Sequence, residues 1–91
     1  MKISESKISK ISEQILAYLF SVSPKAKFTS HIAGEIVRDE EFTKKILLIL
    51  KNKRLVDEIK KNPSGKEYLL RRRWKLSDEA YKAYMFQQNR Y

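Results

Sequence analysis

The sequence predicts a mainly helical α+β domain, a small helical body that carries one antiparallel hairpin and ends in a further helix. Three observations predict it. Apolar residues recur at three- and four-residue spacing in several segments, as in helices with one buried face. A dense turn signal, Asn62-Pro63-Ser64-Gly65, separates two alternating segments, as in a pair of strands. A length of 91 residues with 42% hydrophobic and 34% charged residues bounds one domain with one modest core.

The hairpin, residues 55–76, is the stretch around which the chain is organised. Its first arm, residues 55–61, alternates loosely through Leu55, Val56 and Ile59. Its second arm, residues 66–76, alternates cleanly: Tyr68, Leu70, Trp74 and Leu76 fall on one face, Leu69, Arg71, Arg73 and Lys75 on the other. A two-stranded ribbon this short is marginal alone and must lean on the helical body.

The first helix is expected over residues 4–22, from the series Ile8, Ile11, Ile15, Leu16, Leu19, Phe20 and Val22, with Ser4 or Ser6 as cap and Ser23-Pro24 as stop. Ile8, Ile15 and Val22 are heptad neighbours, and Ile3 and Ile8 extend beyond the expected body toward a second subunit. Residues 25–29 fit a short third strand. A second helix is expected over residues 30–38, capped by Ser30, with Ile32, Ala33, Ile36 and Val37 inward. Gly34 in its middle costs about 1 kcal/mol relative to Ala, which predicts close approach of another backbone. His31, the only histidine, has no partner for a metal or catalytic site and reads as a surface or DNA-flanking residue.

A third helix is expected over residues 40–53, capped by Asp39, with Glu40 and Glu41 at its positive end. Its inner face is expected to hold Phe42, Ile46, Ile49 and Leu50. Its outer face would hold Glu41, Thr43, Lys44, Lys45, Leu48, Lys51 and Asn52. Two helices so tightly joined read as a helix-turn-helix, whose second helix enters the major groove of DNA. After the hairpin, Ser77 with Asp78 and Glu79 caps a last helix over residues 78–88. Its Tyr81, Tyr84, Met85 and Phe86 exceed what a terminal helix leaves to water, so part is expected on the first helix and part on a partner.

Charge narrows the function. The formal net charge is +9, and residues 51–75 hold ten Lys or Arg against three acids. Such clustering points first to nucleic acid, then to acidic protein or membrane surfaces. No cysteine is present, which excludes thiol catalysis and cysteine-ligated metal. No nucleophile–histidine pair, metal set or glycine-rich phosphate loop occurs, so neither an enzyme nor a cofactor is expected. No apolar run approaches a membrane span and no leader pattern opens the chain, which leads to the expectation of a cytoplasmic protein.

Several strings resemble the winged-helix DNA-binding family. KKILLILKNKRLVDE (Lys44 to Glu58) looks like its recognition helix followed by the Leu-Val start of the wing, and WKLSDEAYKAY (Trp74 to Tyr84) is similar to its join of wing to final helix. The Lys- and Ile-rich, cysteine-free composition resembles small archaeal or archaeal-virus members. The resemblance implies a winged helix-turn-helix with a three-helix core, a two- to three-stranded wing and an extra C-terminal helix. It also implies a homodimeric transcriptional regulator selective for double-stranded DNA, on the nucleoid or in a host cytoplasm. A protein-interaction or RNA-binding role is the alternative.

Two positions depart from the family pattern. Arg54 replaces the usual glycine before Leu55-Val56, implying a strained turn or a longer helix. The acids Asp39, Glu40 and Glu41 open the recognition helix. The expected DNA contacts are Thr43, Lys44, Lys45, Lys51 and Asn52 in the major groove, with Lys60, Lys61, Lys66, Arg71 and Arg73 on phosphates or the minor groove. Arg72 ranks lower, its stem expected along Trp74. The expected dimer interface is Ile3, Ile8, Ile15, Tyr81, Tyr84, Met85 and Phe86. Nothing polar singles out a small-molecule effector site.

Overall fold

The computed structural model describes residues 4–60 and 72–88. The elements run α1 (Glu5–Val22), β1 (Lys27–Phe28), α2 (Thr29–Ile36), α3 (Glu40–Asn52), β2 (Val56–Ile59), β3 (Arg73–Leu76) and α4 (Asp78–Gln88). The expected turn at residues 62–65, the arm up to residue 71, and Ile3 lie outside the described residues.

Helix α1 starts where a serine cap allows it: Ser4 Oγ accepts from the Lys7 N–H at 3.3 Å. Its inner face is Ile11, Ile15, Leu16 and Leu19. Ile15 has no exposure at all, which removes it from the expected dimer interface: the heptad that suggested a seam coincides with the core face of a single helix.

The three strands form one antiparallel sheet in the order β1-β3-β2, so the short segment after α1 does supply a third strand. Strand β3 is central and two-sided. Trp74 sits opposite Lys27 on β1 and Glu58 on β2, and Leu76 opposite Val56. Trp74, Leu76 and Val56 are buried with Ile32, Ile46, Leu47, Leu50 and Ala80.

Helix α2 begins one residue before the expected start. Thr29, not Ser30, is its boundary, lying inside the helix as its first residue, and no side chain caps it. Thr29 is taken inward because its hydroxyl has partners there: Trp74 Nε1 donates to Thr29 Oγ1 at 2.8 Å, and the hydroxyl donates to the Arg72 carbonyl at 3.5 Å, which also accepts the Thr29 N–H at 3.3 Å. Gly34 does not receive another backbone. It is exposed, and a Cβ there would meet nothing within 4 Å.

Both helices of the helix-turn-helix end in the same hydrogen-bond pattern. After α2, Val37 N–H donates to Gly34 O and Arg38 N–H to Ala33 O. After α3, Arg54 N–H donates to Lys51 O and Leu55 N–H to Leu50 O. These are Schellman closures, which require a left-handed residue and favour glycine. Here Val37 (φ 53) and Arg54 (φ 61) occupy the left-handed positions. Arg54 therefore does not lengthen α3; it adopts the conformation glycine would have taken. The exposed, β-branched Val37 is the more costly case.

Ser77 joins three elements. Its Oγ–H donates to the Arg54 carbonyl at 2.9 Å, its oxygen accepts the Ala80 N–H that opens α4 at 3.1 Å, and its N–H donates to the Leu55 carbonyl at 3.0 Å. The expected cap of the last helix is thus also the tie to the end of α3.

Denaturant unfolding will read two consequences. Thr29→Val strands the buried Trp74 N–H and lowers stability by about 1–3 kcal/mol. Val37→Gly relieves the left-handed strain and raises stability by about 0.5–1 kcal/mol, leaving the helical signal in circular dichroism unchanged.

Candidate nucleic-acid interface

Helix α3 is held by a buried face of Thr43, Ile46, Leu47 and Leu50. Thr43, expected outside, is fully buried. Its Oγ1–H donates to the Asp39 carbonyl at 2.8 Å, one turn back, so the hydroxyl enters the core without an unsatisfied donor. Thr43 is therefore removed from the expected DNA contacts. Phe42 and Ile49, expected inside, are half-buried, because the buried face is centred on Thr43 and Leu47 instead. The acid that precedes the helix caps it, since Asp39 Oδ2 accepts the Phe42 N–H at 3.0 Å.

The remaining expected groove residues divide. Lys45 and Asn52 are exposed and Lys44 is half-buried. Lys44 lines a cleft of about 310 Å³ with Phe28, Thr29, Ser30, Glu40, Glu41 and Arg72, at the adjoining starts of α2 and α3. Lys51 is turned toward the sheet, where its Nζ donates to Glu58 Oε1 at 2.7 Å.

Glu58 collects a second cation. Arg72 Nε lies 3.0 Å from Glu58 Oε2, close but not aligned for a hydrogen bond. Arg72, whose stem is expected along Trp74, places its guanidinium against the carboxylate that stands opposite Trp74 on β2. The Glu58 side chain is only 2% exposed. Burial pushes its carboxyl up, but the hydrogen bond from Lys51 and the charges of Arg72, Lys51 and Lys60 outweigh that and hold it below its ordinary value.

On the hairpin, Lys60 is exposed just beyond β2. Arg73 is half-buried on the central strand, with Phe28 opposite it on one side and Ile59 on the other. Lys61, Lys66 and Arg71 lie outside the described residues. Phe20 of α1 stacks against Tyr84 of α4 at 5.3 Å and meets Tyr81 at 5.4 Å. Ile8 is half-buried against the core, while Phe86 is 67% exposed, Tyr81 39% and Met85 37%. Among the described residues, no group of His, Cys, Asp and Glu is placed to hold a metal, and no helix is long and apolar enough to cross a membrane.

Residue patterns alone rank Arg72 low and give Glu58 no role. The signal that identifies them together is the strand register, in which an acid on β2 faces the strand that follows Arg72. The depressed Glu58 value fixes the sign of its effect: it stabilises the fold fully above the ordinary glutamate range, and this contribution is lost as pH falls through the lower folded-state value. Glu58→Gln is expected to cost roughly 1–2 kcal/mol near neutral pH, with the difference from the native chain shrinking in acid, as urea titrations over pH will read.

No known protein family and no curated protein matches this sequence. Solved structures match its fold. MepR of S. aureus, in a DNA-binding conformation, superposes with a TM-score of 0.69 at 16% identity, covering 93% of this chain and 63% of that one. An apo-form variant of ZitR from Lactococcus lactis gives 0.65 at 14% identity, covering 93% and 61%. The chain thus spans about three fifths of the length of these two neighbours, 63% and 61%. The helix-turn-helix of α2 and α3, the three-stranded sheet and the flanking α1 and α4 are those of a winged-helix protein, and this chain has the winged helix-turn-helix fold.

Proposed function

We propose that this protein is a transcriptional regulator that binds double-stranded DNA as a homodimer and selects its sequence. Helix α3 lies in the major groove, and the hairpin acts as a wing on the backbone or minor groove. The observation that carries this reading is the coincidence of charge and fold: residues 51–75 hold a surplus of seven positive charges, and that stretch covers the end of α3 and the wing. Asn52 and Lys60 are exposed within it, and Lys45, exposed, and Lys44, half-buried, precede it on α3. Lys61, Lys66 and Arg71 extend the same run in sequence. Lys51 and Arg73 contribute less directly, one held by Glu58 and the other set in the central strand.

The dimer would form through the start of α1 and the outer face of α4, using Ile3, Ile8, Tyr81, Tyr84, Met85 and Phe86. Exposed apolar side chains gathered on one terminal helix support this. A two-fold dimer implies a palindromic site with half-sites one or more helical turns apart. The rival readings are a winged helix that binds protein, for which the acids Glu40 and Glu41 at the start of α3 speak, and one that binds RNA through the basic wing.

A gel shift across salt, with duplex DNA and single-stranded RNA in parallel, separates the readings. Duplex binding with a log–log slope of roughly −4 to −5 per protomer is expected, and replacing Lys60, Lys61 and Lys66 together by Ala should flatten it by about one unit per lysine. A flat slope, or binding confined to RNA, counts against the proposal. Sedimentation should show a dimer for the native chain and a monomer for Phe86→Glu.

A further inference from the structure

The stripe of α3 that points furthest from the core is not basic. With Thr43, Ile46, Leu47 and Leu50 buried, the helical period places Glu41, Lys45, Leu48 and Asn52 opposite them. Glu41, Lys45 and Asn52 are exposed and Leu48 is half-buried. Among the described residues, no ion pair or side-chain hydrogen bond occupies Glu41, Lys45 or Asn52. The other cations of the helix sit on its flanks, with Lys51 held by Glu58 and Lys44 at the cleft beside Arg72.

A face built to hold phosphates would not carry a carboxylate and a leucine at its crest. One built to read base edges would, because the major groove presents amino donors and thymine methyl groups as well as acceptors. Capping already has its carboxylate in Asp39, so Glu41 is not needed for it. Glu41 and Lys45 are one turn apart, with Cβ atoms about 5–6 Å from each other. A G·C pair displays, side by side, the cytosine amino donor that a carboxylate accepts from and the guanine acceptors that an ammonium donates to.

We propose that Glu41 and Lys45 together read a G·C base pair in the major groove, and that Leu48 packs on a thymine methyl in a neighbouring pair. Glu41 accepts from the cytosine amino group and Lys45 donates to guanine. Glu41 acts as a discriminator: opposite any base without an amino donor it leaves a carboxylate desolvated and unpaired. This rests on the DNA-binding reading above and adds which residues carry selectivity and for which bases.

The test is selection of bound sequences from random duplexes with the native chain, Glu41→Gln, Glu41→Ala and Leu48→Ala, each checked for native circular dichroism. The native chain should select a G·C pair within the half-site, with roughly tenfold or greater loss on changing it. Glu41→Gln should move the preference at the cytosine position to adenine, which a glutamine amide pairs with. Glu41→Ala should abolish the preference there while binding non-specific duplex more tightly, since a repelling charge is gone. Leu48→Ala should weaken selection of a thymine. An unchanged base profile in both Glu41 variants overturns the assignment and leaves DNA binding standing. Failure of the native chain to bind duplex overturns DNA binding itself, and the assignment with it.

Discussion

The hydrogen bond from Trp74 to Thr29 is the contact on which the arrangement of this molecule depends. Trp74 is fully buried at the centre of the central strand, and an indole N–H in that position must find an acceptor. It finds the hydroxyl of the first residue of α2, at 2.8 Å. One bond thereby fixes the depth of β3 in the core and the starting point of the first helix of the helix-turn-helix. Lys27 pairs beside Trp74 and Thr29 closes onto the carbonyl of Arg72, so β1, β3 and α2 form one rigid corner. The orientation of α3 is inherited from that corner through residues 37–39.

The ends of α2 and α3 show how the chain makes sharp turns with a single glycine near them. Both close in Schellman geometry, and both place a side-chain-bearing residue in the left-handed region. At Arg54 the local cost is offset by two hydrogen bonds to Ser77: the Arg54 carbonyl accepts from its hydroxyl, and the Leu55 carbonyl from its backbone N–H. The α3 terminus, the start of β2 and the cap of α4 thus stand or fall together. Val37 has no such compensation among the contacts around it; it is 83% exposed, and nothing in its surroundings explains the choice of valine.

Electrostatics divides the basic stretch into charge that holds the fold and charge that faces outward. Glu58 draws in Lys51 and Arg72, and Lys75 lies 3.9 Å from Asp57. The Lys51–Glu58 pair ties α3 to the sheet, and the Arg72–Glu58 pair ties β2 to the start of β3. Among the described residues Lys45 and Lys60 form no ion pair, although the Lys60 charge acts on Glu58. Net charge alone therefore overstates the positive field that a partner meets on the described surface, and the crest of α3 is chemically mixed.

The number and order of the helices, the third strand, the burial of Trp74 and Leu76 and the cap at Ser77 were legible in the residues themselves. Each depends on local chemistry: a period, a proline stop, a strand alternation, a serine before two acids. The residues did not disclose which of two chemically equivalent choices the packing takes. Thr43 has a hydroxyl that suits either water or its own helix, and it went inward because the Asp39 carbonyl could satisfy it. Ile15 fitted a dimer seam as well as a core, and the core claimed it because α2, α3 and β3 close over the same stripe. Gly34 suggested a close neighbour that is absent, and Thr29 displaced Ser30 because only a partner distant in sequence, Trp74, makes its hydroxyl worth burying. The positive charge of the stretch was fixed by composition. Which cations it leaves free was decided by strand register, since pairing Glu58 opposite Trp74 brings an acid within reach of two bases from different elements. Sequence by itself determined the elements and the sign of the field; tertiary structure decided which faces and which charges remain available, because those depend on residues brought together across long separations in the chain.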